Sequence, residues 1–537
     1  MLIVLSFIAF WVNNTVIYPD IMESRNIVTA REMVREGNYL IPTMNGELRL
    51  EKPPLPTWIA AGVERFAPDS LALQRGAAGL AGVMLVVFFY LVGRRATRSD
   101  GYAFTASLIL LTSYNVVFMG RTASWDIYCH AFMMGAIYYL MRGLAPGRRR
   151  PWVSLLMAGA MLGLSFLGKG PVSFYALLLP LVLMCVVMRV PVVVKGRWGG
   201  LTLCAAVAVV LSSWWYVYIY AFHAEQAAYV VGKESGAWIN HNVRPWWYYW
   251  KFFLETGVWS LLMLTTLFVP YWLKRVRFPR KYLFFLGWAM LSLVLLSLMP
   301  EKKSRYLLPL LIPCSYAMGF VWDYWQSGRW RREGLDKAVM RINTGLIALV
   351  AIALPVLLYI YVYVPGHMSA GVFVLCAVLL LAIAVAMVRD VVRARAKSFL
   401  RCVVVLFVCI EVLIMPYVGA IANNTERTSL AATRHIEELR GMPFYHDASE
   451  PLRIEMVYAA YRNIRPLDIT NADSIAARVP FVLLTHKPAA EVLPQSGAFE
   501  MREIGFYDEN PRPRGNRRYS DAFAYHATII TSPKDER

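Results

Sequence analysis

Charged side chains are scarce in this sequence. Asp, Glu, Lys and Arg make up 17% of its 537 residues, whereas 58% of the residues are hydrophobic. Soluble globular chains usually carry about 25% charged residues, so the composition argues against a soluble protein and is typical of a membrane protein with several spans. Basic residues outnumber acidic ones by 55 to 35, which gives a net charge of +20. They occur in short clusters between apolar runs, as in cytoplasmic loops, and not along one soluble face as in a nucleic-acid-binding protein.

Motifs for common cofactors and metals are also missing. The sequence contains no P-loop, no GxGxxG fingerprint and no internal repeat of about 20 to 50 residues. Its seven cysteines lie almost entirely within apolar runs, and no CxxC or Cys/His spacing joins them. Neither a disulfide framework nor a zinc cluster is therefore predicted. Since no cysteine follows residue 422, a folded domain there would be held together by its apolar core alone.

Long apolar segments, by contrast, are abundant. A transmembrane helix needs about 20 mostly apolar residues, and thirteen segments of the sequence fit that template. They are residues 1–18, 71–93, 102–119, 128–142, 152–167, 172–189, 200–220, 255–273, 282–299, 306–324, 342–363, 370–388 and 401–421. The first segment is short, but it lacks the basic flank and the small-residue cleavage site of a signal peptide. It is interpreted as a first span or a truncated start.

A basic cluster follows every even-numbered segment. Arg94 and Arg95 follow the second segment, for example, and Arg148, Arg149 and Arg150 follow the fourth. Because basic loops stay in the cytoplasm, this alternation predicts a cytoplasmic N-terminus. The loops after odd-numbered segments and the tail after about residue 422 are then predicted on the outer side of the membrane.

Two domains are predicted. Residues 1–421 form a transmembrane domain that includes outer juxtamembrane helices in the long loop 19–70, and residues 422–537 form a mixed α/β domain of about 115 residues. Within the loop, "ESRNIVTAREMVREGNYL" predicts an amphipathic helix on the outer membrane face that ends at Gly37. In the tail, a helix is predicted around residues 428–440, and strands are predicted in "PFVLL" and "YHATII".

Charged residues in the outer loops are not needed for topology, so they are candidates for function. Asp20, Glu23 and Arg25 follow the first span. Glu23 suits either a general base or a helix cap. In "LRLEKPPLPTW", the prolines after Glu51 and Lys52 hold this pair on a stiff turn. Lys52 suits a phosphate and Glu51 suits a metal ion, with an interfacial anchor as the alternative.

Two further outer boundaries carry unusual polar residues. "GRTASWDIYCH" contains Arg121, Asp126 and His130, and Asp126 lies where an apolar span begins. A catalytic carboxylate and a helix cap are the alternatives for Asp126. In "LGLSFLGKGPVSF", Lys169 lies between glycines in a turn that joins two spans. That arrangement suits close contact with an anionic ligand, and it also suits a tight hairpin without a ligand.

The remaining outer motifs are aromatic and basic. "INHNVRPWWYYWKFF" contains an aromatic run that is typical of an interfacial belt. A belt does not explain His241 and Arg244, which are therefore predicted to bind substrate. Trp247 is added to this prediction because aromatic rings stack on sugars. In "MPEKKSRYLLPLLIP", Lys302, Lys303 and Arg305 lie on the side that should be poor in positive charge. These three residues are therefore predicted to bind an anion.

These motifs resemble those of the lipid A aminoarabinose transferases and the surrounding protein mannosyltransferase superfamily. The matching pieces are "ESRNIVTAREMVREGNYLIPTMNGELRLEKPPLPTW", "GLSFLGKGPVSF", "RPWWYYWKFF" and "KKSRYLLPLLIP", in that order over about residues 20–315. The EKPP run and its spacing from the ExR helix are the more specific parts. The resemblance implies an α-helical polytopic membrane glycosyltransferase of the GT-C fold, with about thirteen spans, a C-terminal extracytoplasmic α/β domain and an undecaprenyl-phosphate-linked sugar as donor.

The resemblance also implies roles for individual residues. By motif position, the residues that would contact or support the donor phosphate are Lys52, Arg25, Lys302 and Tyr306. Lys169 and Arg305 are also predicted to bind this phosphate, because they are basic residues in the outer loops. Glu51 would be the candidate ligand of a divalent metal, Zn²⁺, Mg²⁺ or Mn²⁺. Members of the family usually carry an Asp-Glu pair before x-Arg, but Met22 stands at the Asp position here. The catalytic carboxylate is therefore open between Glu23, Asp20 and Asp126.

The predicted function is sugar transfer from undecaprenyl phosphate to an envelope acceptor on the periplasmic face of the bacterial inner membrane. Lipid A is the leading acceptor, and a Ser or Thr hydroxyl of a protein is the alternative. Cations stabilise the departing phosphate, and a carboxylate is needed as a base only if the acceptor is a hydroxyl. A lipid-linked sugar transporter or flippase is the alternative from another class. It would predict related halves and broken helices near the midplane.

Overall fold

The computed structural model describes the chain except for residues 148–149, 241, 328–333, 494–497 and 533–537. It divides into two compact units. The first unit comprises Met1–Val16, Leu50–Ile59 and Ser70–Tyr417, and the second comprises Ile17–Arg49, Ala60–Asp69 and Val418–Arg537.

The first unit is helical and contains helices that can cross a membrane. Among the described residues, seven are long and apolar enough: Leu71–Thr97, Pro151–Lys169, Trp198–Phe222, Pro279–Leu298, Gly334–Tyr363, Ala370–Val392 and Ala396–Ala422. An eighth span is obtained if Asp100–Leu111 and Tyr114–Gly120, which are bent by 72° at their junction, count as one. The chain is therefore a multi-pass membrane protein.

The other five of the thirteen predicted spans do not meet these criteria. The structure has shorter, broken or more polar helices there: Leu2–Trp11, Trp125–Gly143, Phe174–Leu178 with Leu179–Val187, Trp246–Trp259 with Ser260–Thr266 and Val269–Leu273, and Leu308–Gln326. The remaining helices of the chain before residue 420 are Ile21–Glu36, Leu55–Phe66, Ala224–Asn240 and Ser304–Leu307.

The helix Leu308–Gln326 explains why hydropathy alone is a poor guide to these segments. It is buried along almost its whole length. Tyr316 stacks on Phe89 with ring centroids 3.8 Å apart, and its hydroxyl donates to the Phe89 carbonyl oxygen over 2.6 Å. The Tyr102 hydroxyl donates to the Tyr316 carbonyl oxygen over 2.8 Å. Because other helices surround it, this helix can carry prolines and polar aromatics that a lipid-facing helix would not favour.

The second unit is built on a five-stranded sheet. Its strands are β3 (Phe444–Asp447), β4 (Ile464–Leu467), β5 (Phe481–Thr485), β6 (Glu500–Asp508) and β7 (Ala524–Thr531), and a two-stranded hairpin pairs β1 (Thr43–Met44) with β2 (Glu47–Leu48). The sheet order is β4-β3-β5-β7-β6, in which β3 pairs in parallel with β4 and β5. The strand β7 is antiparallel to its neighbours, and Leu483 pairs with Thr528. The predicted strands in "PFVLL" and "YHATII" correspond to β5 and β7.

The predicted helix around residues 428–440 is wrong. The structure has 3₁₀ turns at Leu430–His435 and Glu437–Leu439, separated by the extended residue Ile436. Leu430 and Leu439 are both fully buried in one apolar cluster of the second unit. Packing these two leucines into the core overrides the local helical pattern. The described α-helices of the domain are short: Ile454–Ala460, Ala472–Ala476 and Ala489–Val492.

The helix predicted in the outer loop is present as Ile21–Glu36, and Gly37 ends it in the left-handed conformation. Its surroundings differ from the prediction of an interfacial helix. Arg31 and Glu32 lie off the apolar stripe and yet are buried, and Val28 belongs to the same apolar cluster as the sheet. By its packing, residues 17–49 therefore group with the C-terminal unit and not with the transmembrane domain, where the sequence analysis placed them.

Candidate active site

A buried ion pair lies in the first unit. Lys169 Nζ donates a hydrogen bond to Asp126 Oδ1. Asp126 is fully buried and Lys169 is 8% exposed. Charged groups in the membrane-spanning part of a protein are costly to bury and are commonly retained for function. Since the Asp126 carboxylate binds Lys169, and Ser124 occupies the N-cap position, the helix-cap alternative for Asp126 is not supported.

Close packing of two helices brings this pair together. Asp126 lies in the first turn of Trp125–Gly143, and Lys169 is the last residue of Pro151–Lys169. A Cβ added at Gly168 would lie 3.1 Å from Cys129 Cα, so glycine is needed for this approach. Ser165 Oγ donates to the Cys129 carbonyl oxygen over 2.6 Å. The end of one helix is thus held against the beginning of the other.

The segment after Pro300 completes the cluster. Arg305 is close enough for its charge to interact with both Asp126 and Lys169. The Tyr306 ring centroid lies 4.8 Å from Lys169 Nζ, and the Tyr306 hydroxyl donates to Glu301 Oε2 over 3.4 Å.

The aromatic run of "INHNVRPWWYYWKFF" contacts the same segment. Tyr249 is fully buried, and its hydroxyl accepts from the Lys303 backbone N–H over 3.0 Å and lies 3.2 Å from the Lys303 carbonyl oxygen. The Tyr248 hydroxyl lies 3.2 Å from Ser304 Oγ. Sequence reasoning treated Tyr249 only as part of a belt, because nothing in a run of aromatics distinguishes the buried ring from the others.

The substrate-binding predictions in that motif have different outcomes. Arg244 and Trp247 are exposed, and Trp247 is 56% exposed and packs edge-on against Trp246. His241 lies outside the described residues. Among the contacts that the structure describes, neither Arg244 nor Trp247 joins the Asp126–Lys169 cluster, and the substrate-binding role of all three residues stays a prediction.

Lys302 and Lys303 have partners of their own. Lys302 is buried, and its Nζ donates to the carbonyl oxygen of Met299. Burial lowers the pKa of Lys302. Lys303 Nζ lies 2.5 Å from Glu301 Oε1. Of the basic residues predicted here to bind an anion, Arg305 is the one that the structure joins to Asp126 and Lys169.

Glu51 and Lys52 lie in a bend directly before the helix Leu55–Phe66, as the prolines predict. Both side chains are half-buried. Glu51 Oε1 is 3.9 Å from Lys233 Nζ, and Glu51 Oε2 has no hydrogen-bond partner among the described residues. No three His, Cys, Asp or Glu side chains within the described ranges are arranged to hold a metal ion. The role of Glu51 as a metal ligand therefore stays a prediction.

The acidic residues before the first outer helix form its cap. Asp20 Oδ1 accepts from the backbone N–H groups of Met22 and Glu23, over 2.8 and 2.9 Å. Glu23 Oε2 in turn accepts from the Asp20 backbone N–H over 3.3 Å. This reciprocal arrangement is a capping box. The structure therefore supports the capping alternative for Glu23, and Asp20, Glu23 and Arg25 all belong to the second unit.

Arg121 forms a second buried pair that sequence reasoning did not resolve. Arg121 Nη2 lies 2.5 Å from Glu411 Oε2, and it donates to the Val12 carbonyl oxygen over 2.8 Å. Arg121 Nε donates to the Ala9 carbonyl oxygen over 2.5 Å. These contacts tie the first helix to the last span. A lone glutamate in the apolar run "VCIEVLIM" was the available signal for Glu411.

Comparison with a family model gives one match. Residues 5–228 match the family described as dolichyl-phosphate-mannose-protein mannosyltransferase. The matched residues contain the EKPP turn, Asp126 and Lys169, and they end before Arg305.

Curated relatives match at low identity. An uncharacterized protein of Aquifex aeolicus (strain VF5) is 29% identical over 57% of this chain and 58% of that protein. The undecaprenyl phosphate-α-4-amino-4-deoxy-L-arabinose arabinosyl transferase of Pseudomonas savastanoi pv. phaseolicola (strain 1448A / Race 6) is 26% identical over 71% of this chain and 69% of the relative. The chain therefore spans between about half and two thirds of the length of such relatives.

Solved structures match over nearly the full length. The crystal structure of ArnT from Cupriavidus metallidurans bound to undecaprenyl phosphate has a TM-score of 0.71 and 16% sequence identity, and the match covers 98% of this chain and 97% of that chain. The apo structure has a TM-score of 0.66, also at 16% identity. At this identity the similarity establishes a shared fold.

Proposed function

We propose that this chain, a member of the GT-C superfamily that contains the lipid A aminoarabinose transferases and the protein mannosyltransferases, is a glycosyltransferase. It moves a sugar from undecaprenyl phosphate to an envelope acceptor. The observation that carries this proposal is the buried pair of Asp126 and Lys169 in the first unit, with the half-buried Arg305 and Tyr306 beside it. The names of the relatives support undecaprenyl phosphate as the carrier of the sugar.

The cluster has the chemistry that transfer from a lipid phosphate requires. When the bond between the sugar and the phosphate breaks, negative charge develops on the departing phosphate. Lys169, which is buried beside Asp126, and Arg305, which is half-buried, can supply positive charge to that phosphate, and such charge is most effective where water is excluded. Lys52, on its stiff turn in the same unit, is suited to the same role. Tyr306 adds a hydroxyl that can donate a hydrogen bond.

Asp126 is the carboxylate that the geometry favours for proton transfer. Asp20 and Glu23 cap a helix, whereas the Asp126 carboxylate holds Lys169 with one oxygen and has no hydrogen-bond partner for the other among the described residues. That free oxygen is available to accept a proton from an acceptor hydroxyl. If the acceptor is a phosphate, Asp126 serves to hold Lys169 in position.

Lipid A on the periplasmic face of the inner membrane is the proposed acceptor. The alternation of basic loops supports an outward-facing site, and the resemblance of the EKPP and ExR motifs to those of the lipid A aminoarabinose transferases supports lipid A. The mannosyltransferase family match favours a protein hydroxyl as the second candidate.

Purified full-length protein in liposomes tests the reaction. With labelled undecaprenyl-phosphate sugar, lipid A and no energy source, we expect release of undecaprenyl phosphate together with labelled lipid A. Lys169→Met should reduce this release by on the order of 100-fold or more, while Lys274→Met, which changes an exposed lysine, should not.

A transporter is the result that would overturn the proposal. The 72° bend between Asp100–Leu111 and Tyr114–Gly120 is a feature that transporters also use. The assay therefore also measures the distribution of intact donor between the two leaflets. Movement of intact donor without release of undecaprenyl phosphate would refute a transferase.

A further inference from the structure

His130 is a buried imidazole for which the reaction above has no role. It is fully buried, and neither of its ring nitrogens has a hydrogen-bond partner among the described residues. The Asp126 Oδ2 atom is buried and unpartnered in the same way. Buried polar groups in native proteins nearly always have partners, so atoms of this kind call for an explanation.

These atoms share one place in the fold. Residues 126 and 130 are four positions apart in the helix Trp125–Gly143, so their side chains lie on the same face. His130 is near enough to both Asp126 and Lys169 for their charges to interact. The unpartnered nitrogens and the unpartnered oxygen therefore border the ion pair at the centre of the candidate active site.

The atoms also specify what can bind to them. A neutral imidazole offers one N–H donor and one nitrogen acceptor, and a carboxylate oxygen only accepts. A ligand carbonyl group could accept from the imidazole N–H, but it could not donate to the carboxylate oxygen. A ligand ammonium group could donate to the acceptors, but it could not accept from the imidazole N–H. A hydroxyl group accepts from the imidazole N–H through its oxygen and donates its proton to the carboxylate.

We propose that His130 and Asp126 Oδ2 together bind one hydroxyl group beside Lys169. This inference rests on the proposed function. It adds a binding position for a hydroxyl group to the active site, for which only charged groups and Tyr306 have been assigned roles so far. The hydroxyl belongs either to the sugar of the donor or to a bound water molecule. In both cases His130 donates to the oxygen of this hydroxyl and Asp126 Oδ2 accepts from it, so Oδ2 can act as a base towards the acceptor only after this hydroxyl has left.

Two substitutions separate hydrogen bonding from packing. His130→Leu removes both ring nitrogens, whereas His130→Gln retains one donor group and one acceptor. Met134→Leu is the matched control, because Met134 is also fully buried and lies one turn further along the same helix face. All variants are made in the full-length protein, and their thermal unfolding in detergent is measured first.

Binding of undecaprenyl phosphate and of undecaprenyl-phosphate sugar is then compared, together with turnover. If the hydroxyl belongs to the sugar, His130→Leu should weaken binding of the sugar-linked lipid by roughly tenfold or more, as expected when buried polar groups lose a partner, and should leave undecaprenyl phosphate binding unchanged. If it belongs to water, both affinities should stay unchanged while kcat falls. In either case His130→Gln should restore most of the loss, and Met134→Leu should resemble the wild type.

Two results would overturn the inference. One is unchanged binding and turnover in His130→Leu. The other is an equal loss in His130→Leu and His130→Gln for both lipids, accompanied by a lower unfolding temperature, which would identify a packing role. Failure of the proposed function is distinguishable, because it would appear as absent turnover in the wild type, whereas the comparison of the two lipids requires binding only.

Discussion

Lys169 is surrounded by groups that compensate for the burial of its charge. Asp126 accepts its hydrogen bond, and the ring of Tyr306 lies 4.8 Å from the ammonium nitrogen. Such an arrangement contributes little net stability, since desolvation of both charges offsets their attraction. Removing one partner alone should destabilise the protein, because it leaves an uncompensated charge in apolar surroundings. Stability and activity should therefore respond differently to single and double substitutions.

We expect Asp126→Leu to lower the free energy of unfolding by about 3 to 5 kcal/mol, because Lys169 is left without its partner. The double variant Asp126→Leu with Lys169→Met should recover most of that stability and none of the activity. Unfolding in detergent and sugar-transfer assays on the same preparations check both parts. A double variant as unstable as the single one would show that the pair is needed for folding.

Unlike the substitution of Asp126, a substitution of Lys52 should affect turnover and leave stability nearly unchanged. Its side chain is half-buried and lies in a bend, so Lys52→Ala should change the free energy of unfolding by less than about 1 kcal/mol. If Lys52 neutralises the departing phosphate, the same change should nearly abolish turnover. Lys251→Ala, at another lysine of the first unit, is a suitable comparison. Normal turnover in Lys52→Ala would refute the phosphate role.

Single residues were predictable where a charge contradicted its apolar surroundings. Asp126 and Lys169 were identified in this way, and the structure joins them. The roles of Asp20 and Glu23 were left open, because an acidic residue at a helix start serves equally well as cap or as base. Tyr249 was not identified, since burial of one ring within an aromatic run depends on what packs against it.

At the scale of the elements, the active site depends on the approach of two helices. Trp125–Gly143 supplies Asp126 from its beginning, and Pro151–Lys169 supplies Lys169 from its end. Neither helix needs the other in order to form. Their contact at Gly168 and Cys129 sets the distance between the two charges.

Gly168→Ala should therefore impair the reaction without touching a polar group. The added Cβ would lie 3.1 Å from Cys129 Cα and 3.2 Å from its backbone nitrogen, so the helices must separate. The separation needed is a few tenths of an ångström. We expect turnover to fall by about 10-fold, since a misplacement of about 1 Å at an active site can cost about 100-fold. Gly101→Ala is the control, because a Cβ there meets no atom within 4 Å. Equal activity of the two variants would contradict this account.

The sheet of the second unit should be sensitive to acid. Burial lowers the pKa of His446 in β3 below its ordinary value of 6.5, and the nearby carboxylates of Asp447 and Glu47 oppose this only in part. Below pH 6.5 the unfolded chain therefore binds a proton that the folded domain does not, and stability decreases as the pH falls towards the lowered pKa.

Amide hydrogen exchange in β3 and β5, corrected for the intrinsic rate, should therefore increase between about pH 6.5 and pH 5. His446→Asn should show a weaker dependence on pH, because it lacks the titrating group. A wild-type protein whose exchange is independent of pH in this range would contradict the prediction.

Elements were predictable where one local property dominates. Seven or eight of the thirteen segments are helices with the length and composition of a span. The others are short, broken or buried among helices, and hydropathy does not distinguish a helix in lipid from one in protein. The helix predicted at 428–440 is wrong for a related reason, because tertiary packing decides the local structure there. Leu430 and Leu439 are both buried in the core of the second unit.

At the scale of the whole molecule, the orientation in the membrane remains to be measured. The basic loops predict that the C-terminal unit lies outside the cytoplasm. Ser449→Cys, at an exposed position after β3, should react with a membrane-impermeant maleimide in cells with a permeabilised outer membrane. Lys274→Cys should react only after lysis, and the wild type reports any reaction of the native cysteines. Labelling of Lys274→Cys in intact cells would reverse the orientation.

The sequence by itself determined the membrane class, the mixed α/β tail and the charged residues worth testing. Each follows from composition or from a local pattern whose cause lies within a few residues, such as an apolar run or a lysine between glycines. The tertiary structure decided which of the candidates act together. Asp126, Lys169, Arg305 and Tyr306 are separated by up to 180 residues and meet only because helices pack, whereas Asp20 and Glu23 find their partners within one turn. Long-range contacts depend on the shapes of many side chains at once, and no single segment encodes them.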